Sequence, residues 1–373
     1  MSVATAAQPA PDTPVRLSVC IPAYNRAAEL RELLDSVAAQ SYPPHEVVIC
    51  EDASPERPRI REVVEQYRAV LPGRIRYFEN AETLGYDANF RELIRHASGD
   101  YCFIMGNDDV VAPGALATVA DAIRRSPEVG VVLRSFAYFR DRPENFYTIA
   151  RYYVDELRFP PGLDTVVLFY RRAASMSGLV LRRDDALAAE TDRFDGTLWY
   201  QMYLISVILM RRPGLSIPEV LAYYRKGGRS EFGTGMRERG RFTPGAAHDV
   251  VEAVRLMEGT LVIARAFDAE RGTDLYRRIQ RDMARHAYNT FAHHADRPAA
   301  EYVRLYRGLA RLGFWRYPLF HLSAVAVAAF GPGQLQRLVH AARRRLGYTP
   351  SLGERPRQAV VVRSPNLGAR PYA

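Results

Sequence analysis

The sequence predicts an α/β protein: a mostly parallel, doubly wound sheet flanked by helices, followed by a helical extension. Three observations carry this reading. Short apolar runs alternate with segments of helical periodicity from Leu17 to Met105. Acidic and polar residues gather where those runs end. Beyond residue 236 the pattern turns helical and basic.

Leu17 to Ile21 is an apolar run closed by Pro22 and reads as a strand. In Glu29 to Gln40, Leu30, Leu33, Leu34 and Val37 recur at helical spacing. Glu46 to Cys50 is a second strand ending at Glu51 and Asp52, Pro58 to Val70 a second helix, and Arg74 to Phe78 a third strand. Tyr86 to His96 is a third helix and Tyr101 to Met105 a fourth strand. Strands separated by helices of about a dozen residues pair in parallel. Such sheets bind ligands beyond the carboxyl ends of their strands. Further strands are expected at Val129–Phe136, Ser177–Leu181 and Leu215–Tyr224, with an apolar helix at Trp199–Met210. Arg225 to Gly235 reads as a mobile glycine-rich loop. Helices then follow at His248–Phe267, Asp274–Ala292 and Ala299–Leu312, and a fourth, Pro318–Arg345, is broken at Gly331–Pro332–Gly333. The expected organisation is a tail at 1–14, a catalytic domain at 15–235, a helical region at 236–348 and a disordered tail at 349–373.

The 373 residues are 48% hydrophobic and 25% charged, ordinary for a globular protein. The net charge of +9 is unevenly spread. Up to residue 235, 28 basic residues face 31 acidic ones; residues 236–373 carry 23 against 11. Three cysteines without CxxC spacing, Cys20, Cys50 and Cys102, argue against a disulfide framework or a zinc site. They read as small buried hydrophobes, which fits a reducing cytoplasm. The opening MSVATAAQPAPDTP lacks a basic region followed by an apolar core, so it reads as a tail and not as a signal peptide. The longest apolar stretch, Tyr317 to Phe330, falls short of the ~20 residues that a membrane span needs.

The chemistry concentrates in GDYCFIMGNDDVVAPGAL, Gly99 to Leu116. A buried strand runs into adjacent carboxylates, Asp108 and Asp109, which are costly to hold together without a cation. A divalent metal there grips phosphate, which points to a nucleotide-linked substrate. A dinucleotide site is set aside, because IPAYNR follows the first strand where a GxGxxG turn would stand.

Three segments together resemble the inverting family 2 glycosyltransferases of the GT-A fold. They are LSVCIPAYNRAAELRELLDSVAAQSYPPHEVVICEDAS, LGYDANFRELIRHASGDYCFIMGNDDVVAPGAL and IPEVLAYYRKGGRS, which span residues from about 15 to 230. The resemblance implies a Rossmann-like fold and sugar transfer from a nucleotide-sugar to a hydroxyl of a glycan, a lipid-linked acceptor or a small metabolite. It implies that Pro22, Ala23 and Tyr24 lie under the base, and that Glu51 and Asp52 accept from base or ribose. It puts Asn89, Arg95 and Asn107 near the sugar or diphosphate, and Mg²⁺ or Mn²⁺ on Asp108 and Asp109. Arg225, Lys226 and Arg229 lie on a glycine-rich loop that is expected to close over the donor, pair with its diphosphate and exclude water.

Two departures qualify the match. Gly106 stands where many members carry the first acid of DxDD. Gln201 and Met202 stand where many carry the Glu-Asp pair that supplies the base for the acceptor proton. The nearest acid, Asp195, is the expected base. The missing pair marks a subgroup resembling O-antigen deoxysugar transferases such as abequosyltransferases. It also motivates an alternative, a non-catalytic nucleotide-sugar-binding module on the same fold.

In the C-terminal third, Arg304, Arg307 and Arg311 share one helix face, with Tyr302, Leu305, Tyr306, Leu309 and Leu312 supplying an apolar side. Phe314 to Tyr317 adds aromatic residues. Three readings stand: a peripheral contact with the inner face of a membrane, a helical subdomain packed on the catalytic core, or a homodimer interface. No nucleic-acid-binding motif accompanies the charge.

Overall fold

The computed structural model describes residues 14–228, 231–244, 249–345 and 358–365. The strands are β1 (Leu17–Ala23), β2 (Glu46–Glu51), β3 (Ile75–Glu79), β4 (Tyr101–Ile104), β5 (Val110–Val111), β6 (Val131–Phe139), β7 (Thr148–Ala150), β8 (Glu156–Phe159), β9 (Leu179–Arg182), β10 (Gly214–Arg225) and β11 (Val360–Arg363). The helices of the sheet domain are α1 (Ala27–Ala38), α2 (Arg57–Val70), α3 (Tyr86–His96), α4 (Ala115–Arg125), α5 (Leu163–Tyr170), α6 (Arg183–Ala188) and α7 (Tyr200–Leu209). The helical region holds α8 (Val250–Arg271), α9 (Leu275–Arg285), α10 (Ala287–His293), α11 (Ala299–Arg311) and α12 (Pro318–Arg345), with α12 broken at Gly331.

One sheet runs in the order β11-β8-β10-β6-β9-β4-β1-β2-β3. β4, β1, β2 and β3 pair in parallel, as do β6 and β10. β9 joins the two halves by running antiparallel to both β4 and β6. The parallel character therefore belongs to the first half of the chain, and the second half is mixed.

Strand alternation builds two cores, one on each face. Val19, Ile21, Val47, Ile49 and Phe103 pack under α1, α2 and α4. Cys20, Val48, Cys50, Cys102 and Ile104 pack on the opposite side with α3, α5 and α7. All three cysteines are free and buried among these side chains. The stripes read from the sequence are the buried ones: Leu30, Leu33, Leu34 and Val37 on α1, and Phe90, Leu93 and Ile94 on α3. The second core continues without a break into the helical region, where Phe267, Ile279, Phe291, Leu309 and Phe320 belong to it. The expected 274–292 helix is two helices, α9 and α10, meeting at His286.

The C-terminal tail needs correction. Residues 349–357 and 366–373 lie outside the described residues, but β11 adds an antiparallel edge strand to β8. Arg363 on β11 reaches Glu156 and Glu219. An isolated four-residue apolar run offers little helical or alternating pattern, so its pairing was not legible locally. The N-terminal tail lies outside the described residues apart from Pro14.

Candidate functional site

Because β1, β2 and β4 are parallel neighbours, their carboxyl ends meet at one sheet edge. A cleft of about 300 Å³ opens there. Pro22, Tyr24, Arg26, Asp52, Asn89 and Asp108 contribute to its walls, and Glu231 and Glu238 reach it from the segment after β10.

The chain leaves β1 through a left-handed turn at Asn25 and Arg26, with φ of 52° and 63°. Non-glycine residues take this conformation at a cost, and such positions concentrate at functional sites. The turn starts α1 and aims Arg26 at Asp108, whose Oδ2 accepts from its guanidinium at 2.6 Å. Asn107 holds the same turn by donating to the Asn25 carbonyl at 2.9 Å. Ala23 is buried and absent from the cleft wall; its carbonyl accepts from the Asp52 amide at 2.9 Å. Burial raises the Tyr24 hydroxyl above its ordinary pKa.

The two acids at the end of β2 diverge. Glu51 is fully buried, accepts from the Ala53 and Ser54 amides and pairs with Arg57, so it closes the turn at left-handed Ala53. It does not reach the cleft. Asp52 does. Its Oδ1 accepts from Asn80 and the Leu84 amide, and its Oδ2 from the Gly85 amide, each at 2.8 Å. Burial pushes its pKa upward, and these donors oppose the shift. Asn89 links Asn80 to the Cys50 carbonyl.

The two acids after β4 diverge in the same way. Asp108 faces the cleft with its side chain 23% exposed. Asp109 is buried: Ser177 donates to its Oδ2 at 2.5 Å and the Arg225 amide to its Oδ1 at 2.9 Å. Burial, then the neighbouring Asp108 charge, push Asp109 up to about 8. A Cβ placed on Gly106 would stand 3.2 Å from Asp108 Oδ1 and 3.3 Å from Asp109 Oδ2. The missing side chain at 106 thus leaves a cradle into which both carboxylates point. This donor set suits a hard cation with oxygen ligands and a phosphate. Among the described residues no group of three or more His, Cys, Asp or Glu surrounds it.

Several expected site residues are engaged elsewhere. Arg225 donates to the Asp108 carbonyl and pairs with Glu32, which leaves its guanidinium under the loop. Lys226 stands 4.5 Å over the Tyr138 ring, and burial lowers its pKa. Arg229 lies outside the described residues. Arg95 is on the surface with Glu92 and Glu190. Asp195, the expected base, is held by both guanidinium nitrogens of Arg91 at 2.6 and 3.0 Å, with both side chains nearly buried. It does not line the cleft. Breaking a buried ion pair on one side leaves an uncompensated charge, so Asp195→Ala should lower unfolding stability by about 3–5 kcal/mol, measured by urea denaturation.

Sequence reading missed Arg26, Glu231 and Glu238 as site residues. Glu238 is buried and anchors the loop segment to α3, accepting from the Tyr86 amide at 2.6 Å and the Gly233 amide at 2.8 Å. Burial raises its pKa. Glu231 lines the same cleft, and no described residue donates to its carboxylate. Only IPAYNR carried a local signal, since a basic residue just after a strand-ending turn sits at a ligand edge.

The sequence and the fold are similar to those of known proteins. Residues 18–187 fit the glycosyl transferase family 2 model. An abequosyltransferase of Salmonella typhimurium is 37% identical over 101 residues, covering 27% of this chain and 30% of that protein. An uncharacterized protein of Mycobacterium bovis is 26% identical over 255 residues, 65% of this chain and 67% of its own length. The aligned segment therefore spans under a third of the abequosyltransferase. Staphylococcus aureus TarS, solved with UDP-GlcNAc, superposes with a TM-score of 0.57 over 89% of this chain and 92% of that one. At 16% identity the likeness is one of fold. Over residues 18–187 the chain is thus similar to the family 2 glycosyl transferases, and its fold is similar to that of TarS.

Proposed function

We propose that the chain moves a hexosyl or deoxyhexosyl group, with inversion, from a nucleoside diphosphate sugar to an acceptor hydroxyl. The observation that carries this is the convergence of Asp52 and Asp108 on one cleft at the ends of parallel strands. Pro22 and Tyr24 flank the base, and Asp52 accepts from a base or ribose donor. Asp108, with Asp109 behind it, would hold Mg²⁺ or Mn²⁺. Bound there, the cation neutralises charge that develops on the leaving diphosphate. Arg26 adds a second positive charge on the same side.

The acceptor oxygen attacks the anomeric carbon opposite the diphosphate. The bond from carbon to the leaving phosphate oxygen breaks, and the acceptor proton passes to a base. We assign that base to Glu231. Asp52 and Glu238 each accept from backbone amides, Asp108 pairs with Arg26, and Asp195 is outside the cleft with Arg91. Glu231 is the cleft carboxylate with no donor among the described residues.

The acceptor is proposed to be lipid-linked and met at an anionic membrane surface. α12 is apolar on both sides: Phe320, Ala324 and Val327 face the core, while Leu319, Leu322, Val325 and Phe330 are 50–66% exposed. Trp315 and Arg316 are exposed at its start. A helix of this kind lies in an interface beside basic residues, and no described helix is long and apolar enough to cross a membrane. The full chain should sediment with vesicles containing phosphatidylglycerol and not with phosphatidylcholine alone. Leu322→Glu with Val325→Glu should abolish sedimentation. Equal binding to both vesicle types, or conversion of a dimer to a monomer by the same pair, would refute a membrane role.

A further inference from the structure

A second cavity, of about 520 Å³, lies between the sheet domain and the helical region. Trp199 and Met202 at the start of α7 form one wall; Leu256 and Met257 on α8 and Ile279 and Met283 on α9 form the other. Its volume falls in the range of small-molecule sites. Three methionines make the walls adaptable to chains of varied shape.

Several polar groups on this lining are already bonded within the protein. The Tyr170 hydroxyl donates to the Thr260 carbonyl at 2.7 Å, and the Trp199 indole to the Leu256 carbonyl at 2.8 Å. Arg171 and His286 are both bound to Asp282. Asn289, Thr290, His293 and His294 add polar side chains from α10 and its end, but the facing walls of α7, α8 and α9 present mostly carbon, in contrast to the donor cleft with its carboxylates and amides.

Only a thin partition separates the two spaces. Ala174 lines the cavity and Met176 lines the cleft. Gln201, one residue before Met202, donates to the Ala174 carbonyl at 3.4 Å, and its Oε1 is buried without a partner. The Tyr86 hydroxyl, on the cleft side, interacts with the same glutamine. A group seated against Met202 is thus next to the wall behind which transfer occurs.

We propose that this cavity binds the hydrocarbon end of the acceptor, an alkyl or prenyl chain, while its hydroxyl is presented to the cleft. The inference rests on the reading of a lipid-linked acceptor. Its failure is separable, because donor binding involves other residues. The chain has two tryptophans. In a Trp315→Phe background, Trp199 reports on the cavity alone. Titration of the full chain with n-decyl glucoside, below its micelle-forming concentration, should shift Trp199 emission saturably. Methyl glucoside should not. Ala253→Phe, or Ile279→Phe should the first not fold, should weaken decyl glucoside binding at least tenfold and leave nucleotide-sugar binding unchanged. An unshifted emission, an equal response to methyl glucoside, or unaltered binding in a folded cavity-filling variant would overturn the proposal. So would decanoate binding in the cavity while decyl glucoside does not, since the site would then serve free fatty acids.

Discussion

Asp108→Ala lowers kcat by on the order of 10²–10³-fold, the loss expected when a charge-stabilising group at a reacting centre is removed. Asp108 is the acid of the pair that faces the cleft, with Oδ2 on Arg26 and Oδ1 toward the cradle at Gly106. On the proposed reading, alanine would remove the cation's direct protein ligand and leave Arg26 beside the diphosphate. Nucleotide-sugar binding should therefore persist and lose its response to Mn²⁺. Steady-state kinetics and calorimetry with and without Mn²⁺ read both effects. Asp109→Asn should act differently. Asp109 holds the Arg225 amide and the Ser177 hydroxyl, so its loss should loosen the end of β10 and reduce stability along with activity. Equal metal dependence in wild type and Asp108→Ala would remove Asp108 from the metal site.

Glu231→Gln lowers kcat by about 10²–10⁴-fold, the range for a positioned general base. The glutamine keeps the shape and leaves donor affinity unchanged. Asp195→Asn serves as the comparison: it weakens the Arg91 pair, so it should reduce the folded fraction and not the turnover of folded protein. If Asp195→Asn abolishes turnover in fully folded protein while Glu231→Gln does not, the base is Asp195. Retained turnover in both variants would place the base elsewhere, and absence of turnover in the unmodified chain would favour one that binds nucleotide-sugar without transferring it.

The parallel half of the fold was legible because each element carries its own period. The stripe Leu30, Leu33, Leu34, Val37 and the run Leu17–Ile21 need no distant partner to be recognised. The antiparallel half was less so. β9 lies between β4 and β6, and β11 joins β8 from about 200 residues away; such pairings are tertiary facts. The site divides along the same line. Asp52, Asn89, Asn107 and Asp108, all named from the sequence, line the cleft. What the sequence could not separate were members of adjacent pairs. Glu51 and Asp52, or Asp108 and Asp109, are equivalent as letters. Which one turns inward is set by whether a backbone turn, as at Ala53, or a distant hydroxyl, as on Ser177, captures its neighbour. The pairing of Asp195 was hidden for a related reason: its partner Arg91 sits 104 positions away. Glu231 and Glu238 were hidden because the segment after β10 folds back over α3, a path that glycine-rich composition does not specify.

The central claim is that the cleft at the ends of β1, β2 and β4 binds a nucleoside diphosphate sugar with a divalent cation. The most direct test is a thermal-shift titration of the full chain with UDP-, GDP- and dTDP-sugars, with and without Mn²⁺. The account predicts that at least one donor raises the melting temperature, more so with Mn²⁺, and that Asp108→Ala removes the metal-dependent part. No shift with any donor in either condition would contradict it.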